Sequence, residues 1–179
     1  MQAAKKEAFA PAKAVVRRAV EEDIPAIWEI TQEAFLKYAY DLGNKNKVKA
    51  LGETRQDILS DMERKTVLIG TVEGVPMGSI RFEVLGGVAY ISRFGVRLMA
   101  QGRGMGRALI AEVERLCRER GDVAAIALHT SSRMSSLMRF YYGQGFFVHS
   151  TSAERGYIRA LLVREIREGG ADYSPVLEK

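Results

Sequence analysis

Three apolar-rich runs follow one another between Thr66 and Arg97, reading TVLIGTVEG, VPMGSIRFEVLGG and VAYISRFGVR. Each has strand length and β-branched content, and Glu73-Gly74 and Gly86-Gly87 between them favour turns, so the stretch predicts a meander of antiparallel strands. Upstream, IPAIWEITQEAFLKYAY sets Ile27, Thr31, Ala34 and Tyr38 at helical spacing. Asp23 is the expected N-cap, Pro25 falls in the first turn, and the helix should end near Asp41-Leu42-Gly43. After a polar loop, NKNKVKALGE, Thr54 and Asp57 have the spacing of a helix start leading to Ile58, Leu59 and Met62. The valine-rich AVVRRAV reads as a short opening strand.

Downstream, Met105, Leu109, Val113, Leu116 and Cys117 form an apolar stripe on a third helix ending near Gly121, which makes Cys117 a core residue. DVAAIALHT predicts a buried strand, SSLMRFYYGQG a helix closed by glycine, and GFFVHS with GYIRALLVREI two closing strands. The order β-α-α-β-β-β-α-β-α-β-β predicts a mixed α/β fold: a central, mostly antiparallel twisted sheet of about seven strands flanked by four helices. Residues 14–167 should form one domain, with 1–13 an N-terminal extension and 168–179 a flexible tail.

Composition narrows the class. A length of 179 residues with 47% hydrophobic content suits a single core. One cysteine precludes an intrachain disulfide and fits a reducing compartment. The opening MQAAKKEAFAPAK lacks the apolar centre of a signal peptide, and no run reaches membrane-span length, so a cytoplasmic location and no membrane partner are expected. The net charge of +5 is unevenly placed: residues 1–88 carry 13 cations and 13 anions, whereas 89–179 carry 14 and 9, with 13 of those 14 cations arginine. Arginine forks onto phosphate oxygens, so the excess suggests an anionic ligand, with a solvated basic face as the alternative. No basic-aromatic motif suggests nucleic acid.

The arginine-rich half contains LMAQGRGMGRALI, Leu98 to Ile110, with Gly102, Gly104 and Gly106 at the mouth of the third helix. A helix start presents unpaired N–H groups and a positive dipole end, and glycine lets a phosphate approach them closely. A Walker A loop is excluded, since Gly106 is followed by Arg107 and Ala108 rather than Lys and Ser or Thr. A dinucleotide fingerprint fits poorly, because the spacing is G-x-G-x-G and Asp122 begins a strand instead of ending one.

Gln101-Gly102-Arg103-Gly104-Met105-Gly106 resembles the Q/R-x-x-G-x-G/A signature of the GNAT family of N-acetyltransferases. Phe140-Tyr141-Tyr142-Gly143-Gln144-Gly145-Phe146 is similar to that family's F/L-Y-x-x-x-G-F segment, and the element order matches from about Val15 to Val163. The resemblance implies a GNAT fold and attack by a primary amine on the thioester of acetyl-CoA, through a tetrahedral intermediate that expels the CoA thiolate. It implies acetyl-CoA as cosubstrate, no metal, and an amine acceptor that is a small molecule or a peptide. Its pyrophosphate falls on the backbone of Arg103, Gly104, Gly106 and Arg107, with Gln101, Gly102 and Met105 in the same loop. Val96 and Leu98 pair with the pantetheine arm, and an N–H near Gly95 or Val96, where relatives distort the strand, serves the oxyanion. Tyr141 matches the family's general acid; a phenol of ordinary pKa near 10 is protonated at neutral pH.

Two departures stand out. Ser92 occupies the position where many relatives carry a glutamate base, which leaves the base open among a Ser92-ordered water, Glu83 and His129. Met134 occupies the register of the pantetheine-binding asparagine, with Ser132, Ser135 or Ser136 as replacements. The acceptor should enter against the first two helices and their loop, which carry Phe35, Tyr38, Tyr40 and residues 44–49. A catalytically silent acyl-CoA sensor is the alternative function, and the last two strands leave a homodimer open.

Overall fold

The computed structural model describes residues 13–43 and 48–179. The elements run β1 (Ala14–Arg18), α1 (Ile24–Leu42), α2 (Arg55–Arg64), β2 (Thr66–Val72), β3 (Val75–Leu85), β4 (Val88–Val96), α3 (Met105–Arg120), β5 (Ala125–Ser131), α4 (Ser135–Gly143), β6 (Phe147–Ser152) and β7 (Arg159–Glu165). This is the expected order, built on one open seven-stranded sheet arranged β1-β2-β3-β4-β5-β7-β6. All pairings are antiparallel except β4 with β5.

The turn chemistry follows from local sequence. Glu73 and Gly74 both take positive φ, as do Gly86 and Gly87, which suits two-residue hairpins whose twist matches the strands. Thr54 and Asp57 form a reciprocal capping box at the start of α2. Gly43 closes α1 in the left-handed conformation. Asp23 does not cap α1. A 3₁₀ turn over Glu21–Asp23 runs straight into the helix, and the Asp23 carboxylate instead accepts from the Val20 N–H and both Arg17 terminal nitrogens.

Helices α3 and α4 cover one face of the sheet, where Met105, Leu109, Val113 and Cys117 pack on Leu68, Ile80, Phe82 and Leu128. On the opposite face α1 and α2 cover the β2 side through Ile27, Ile58, Val67 and Ile69. The rest of that face is covered by the C-terminal segment. Tyr173 and Val176 are buried against Val88, Tyr90, Ala127 and Leu161. Residues beyond 168 therefore include a docked core element and not the free tail expected, because two apolar side chains cover strand surface that no helix reaches. Among the described residues no helix is long and apolar enough to cross a membrane.

Candidate active site

Two irregularities of β4 open the sheet. Its register with β3 shifts between Arg81 and Phe82, which face Arg93 and Ile91, so Ser92 is an extra, bulged residue. Its parallel ladder with β5 covers only Val88 to Ile91. Beyond that point β4 continues on β3 to Val96 and β5 continues on β7 to Ser131, with no ladder between them. The strands splay, and a cavity of about 850 Å³ fills the wedge. The distortion sits three residues before Gly95, whose own pairing with Ser79 is regular. Gly95 is required for another reason: a Cβ there would stand 3.0 Å from the Ala34 Cβ of α1.

The glycine loop forms one end of the cavity. Gly102 and Gly104 take φ of 71° and 92° with open space where a Cβ would be, and no side chain caps the start of α3. Gly106 instead serves packing as well, since a Cβ would meet Phe140 Cζ at 3.1 Å. Of the residues expected to hold the cofactor, Val96, Gln101, Gly102, Gly104, Gly106 and Arg107 line the cavity. Arg103 and Leu98 are exposed outside the lining, and the Met105 side chain is buried in the core. The Leu98 N–H departs from its expected pairing, because it donates to Glu33 Oε1 at 2.7 Å. The Gln101 amide donates to the Val96 carbonyl at 3.2 Å. Arg97 ties the lead into the loop to α1, with Glu33 at 3.1 Å and Glu29 at 2.9 Å. That clamp had no counterpart in the sequence reading, since four residues separate the two glutamates but more than sixty separate them from Arg97.

At the other end, Tyr141 faces the cavity while Tyr142 is about half exposed, as expected for neighbours on a helix. The Tyr141 ring is held by Phe140, Phe146 and Phe94, with centroids 5.2, 5.6 and 6.4 Å away. Burial, and then the Tyr38 phenol, push its pKa well above the ordinary tyrosine value. Tyr38 accepts the Ser131 N–H at 2.9 Å, and burial beside Tyr157 pushes it up to about 12. Met134 is buried in the lining without a hydrogen-bonding side chain; Ser135 and Ser136 line the cavity, whereas Ser132 donates to the Ile158 carbonyl. Tyr40 is exposed, and residues 44–47 of the expected acceptor loop lie outside the described residues.

The candidate bases separate clearly. Glu83 lies outside the cavity and accepts from Lys179 Nζ at 3.2 Å. His129 lines the cavity, but its Nδ1 is 2.9 Å from the Tyr90 hydroxyl and the ring also bonds the Leu177 carbonyl. Burial, and then the charges of Arg159 and Arg155, push it down to about 4. Ser92 lines the cavity and receives Lys65 Nζ at 3.5 Å. Behind it lies a buried ion network that no contiguous motif reveals: Arg81 reaches both Glu53 carboxylate oxygens at 2.8 and 2.6 Å and Asp61 at 3.0 Å, and Arg93 reaches Glu53 at 3.2 Å.

The family model described as the acetyltransferase (GNAT) family matches residues 21–146, and the chain belongs to that family. Similar solved structures cover nearly their whole length. One is the PaiA N-acetyltransferase of Thermoplasma acidophilum in complex with coenzyme A, at TM-score 0.76 and 15% identity over 86% of this chain and 99% of that one. Another is YncA, a putative acetyltransferase of Salmonella typhimurium with acetyl-CoA, at TM-score 0.69 and 20% identity over 90% and 99%. A third is the ribosomal-protein-alanine N-acetyltransferase of Brucella melitensis, at TM-score 0.65 and 21% identity over 85% and 99%. A comparison with curated proteins finds no match.

Proposed function

We propose that the protein transfers the acetyl group of acetyl-CoA to an amine by direct attack, with Tyr141 giving a proton to the departing CoA thiolate. The observation that carries this reading is a single cavity lined both by the glycine loop and by Tyr141. The donor set suits the cosubstrate: uncapped N–H groups, two Cβ-free positions and Arg107 fit a pyrophosphate. The edge of β4 from Phe94 to Val96, unpaired on its β5 side, offers strand-like hydrogen bonds to an extended amide chain.

Proton management differs from a carboxylate-based scheme. Asp41 is the one carboxylate lining the cavity among the described residues, and it is paired with Lys37. Lys49, Arg93, Arg155 and Arg159 also line it, and their charge favours the neutral form of an amine over the ammonium. The amine's proton leaves to solvent before attack; Tyr141, kept protonated by burial, gives its proton to the departing thiolate, and the proton shed by the nitrogen on collapse to the amide returns to the phenolate through solvent.

Tyr141→Phe tests this. Loss of a general acid lowers kcat by roughly 10²- to 10⁴-fold, with stabilisation by CoA in thermal unfolding retained. An unchanged kcat removes Tyr141 from the chemistry. Met134 and Ser92 favour a second reading, an acyl-CoA sensor, which predicts stabilisation by CoA but no thiol release with any amine.

A further inference from the structure

The side of the sheet facing away from α3 presents a second charged constellation. Arg159 begins β7 opposite Ser131, and Arg155 stands in the loop before it. Their guanidinium groups converge on one atom, the main-chain oxygen of Lys179, at 3.2 and 2.6 Å. Arg93 joins them beside Tyr90, its Nε on Glu53 and one terminal nitrogen on the Ser92 carbonyl. All three line the cavity. Among the described residues no Asp or Glu side chain pairs with Arg155 or Arg159, although Arg159 is buried. Guanidinium forks gathered on a cavity wall suit the oxygens of a carboxylate or phosphate.

The charge balance of the cavity points the same way. Among the described residues, seven Lys and Arg side chains line it against the single carboxylate of Asp41. Arg107 belongs with the glycine loop, while Arg93, Arg155 and Arg159 lie across the splayed strands from it, on the face where Tyr90 packs with the C-terminal segment. A field that favours the neutral amine also repels an incoming ammonium. Negative charge elsewhere on the same molecule offsets that repulsion.

We propose that the acceptor is an amine bearing a carboxylate or phosphate group, which Arg93, Arg155 and Arg159 hold while its nitrogen faces the thioester. This deepens the acetyl-transfer reading and rests on it.

The test uses matched amines on the full chain: 4-aminobutyrate against butylamine, and O-phosphoethanolamine against ethanolamine. Binding to the CoA-saturated protein is measured by calorimetry, and transfer from acetyl-CoA by thiol release. At least one anionic amine should bind and react with a kcat/KM about tenfold or more above its neutral counterpart. Arg155→Gln should raise the KM for that amine about tenfold more than it changes the KM for the neutral amine, and be partly rescued by Arg155→Lys. Equal kcat/KM within both pairs, or equal effects of R155Q on both members of a pair, overturns the anionic acceptor and leaves the transferase reading standing. Absence of any stabilisation of the wild type by CoA overturns both.

Discussion

At the level of single residues, Tyr141 and His129 meet the same cavity and are driven in opposite directions by burial, each toward its neutral form. On the acetyl-transfer reading this secures Tyr141 a proton to give. For His129 it removes a proton acceptor, since a ring at about 4 that is already bonded to Tyr90 and the Leu177 carbonyl has little capacity as a base. The consequence is measurable in stability. The unfolded ring titrates near 6.5, so between about 6.5 and 4 the unfolded chain holds a proton that the folded chain does not. The His129 contribution is therefore complete above 6.5 and is lost as pH falls toward 4. The depressed carboxyls of Asp23 and Asp61 act lower, with contributions lost only below the unfolded value near 3.9. His129→Gln should flatten the unfolding midpoint between pH 6.5 and 4 and leave the acid limb below it. An equal slope in both proteins would mean that the ring titrates as it does in water.

Among the elements, β3 shows best what pattern can and cannot reveal. Its alternation places Ile80, Phe82 and Val84 on the α3 face and Ser79, Arg81 and Glu83 on the other. Polar residues at every second position suggest a solvated face, yet α1 and α2 cover it and bury Arg81 completely. Three connections share this one guanidinium: Glu53 before α2, Asp61 within it and Thr31 on α1. For Asp61, burial opposes ionisation, but Lys65 and Arg81 outweigh it and hold the carboxyl below its usual range. Arg81→Ala leaves Glu53 to Arg93 and Asp61 to Lys65, removing the fully buried cation that joins them, and should cost about 3 kcal/mol in denaturant unfolding. A loss below about 1 kcal/mol would show that the network carries little. Period-two spacing gave the strands, and the two glycine motifs gave the loop and Tyr141, because each is a property of contiguous residues. The Ser92 bulge, the splay of β4 from β5 and the Arg97 clamp depend on partners far away in sequence, which explains why the distortion was expected at Gly95 and a free N–H at Leu98.

For the molecule as a whole, the two faces of the sheet are closed by different means, and on the proposed reading this difference sets where an acceptor enters. Two helices, α3 and α4, seal one face beneath the glycine loop. The opposite face is shared between α1 with α2 and the C-terminal segment, where the Lys179 main-chain oxygen receives Arg155 and Arg159 and the Lys179 ammonium reaches Glu83. The segment thus packs apolar surface and steadies the arginines at the cavity rim in one stroke. Its composition, EGGADYSPVLEK, hides this, since two apolar anchors among glycines and charges resemble a solvated tail. Val176 decides between the two descriptions because it is fully buried among Val88, Tyr90 and Ala127. Val176→Ala should destabilise the protein by about 2 kcal/mol, as expected for removing a buried branched side chain, whereas an unpacked tail would lose nothing. The same variant should raise the KM for an anionic amine more than for its neutral counterpart, because loosening the segment frees the two guanidinium groups that the Lys179 main-chain oxygen holds together. If stability falls and both KM values stay level, the segment is a lid for the core alone and the arginines are positioned by β7 and its preceding loop.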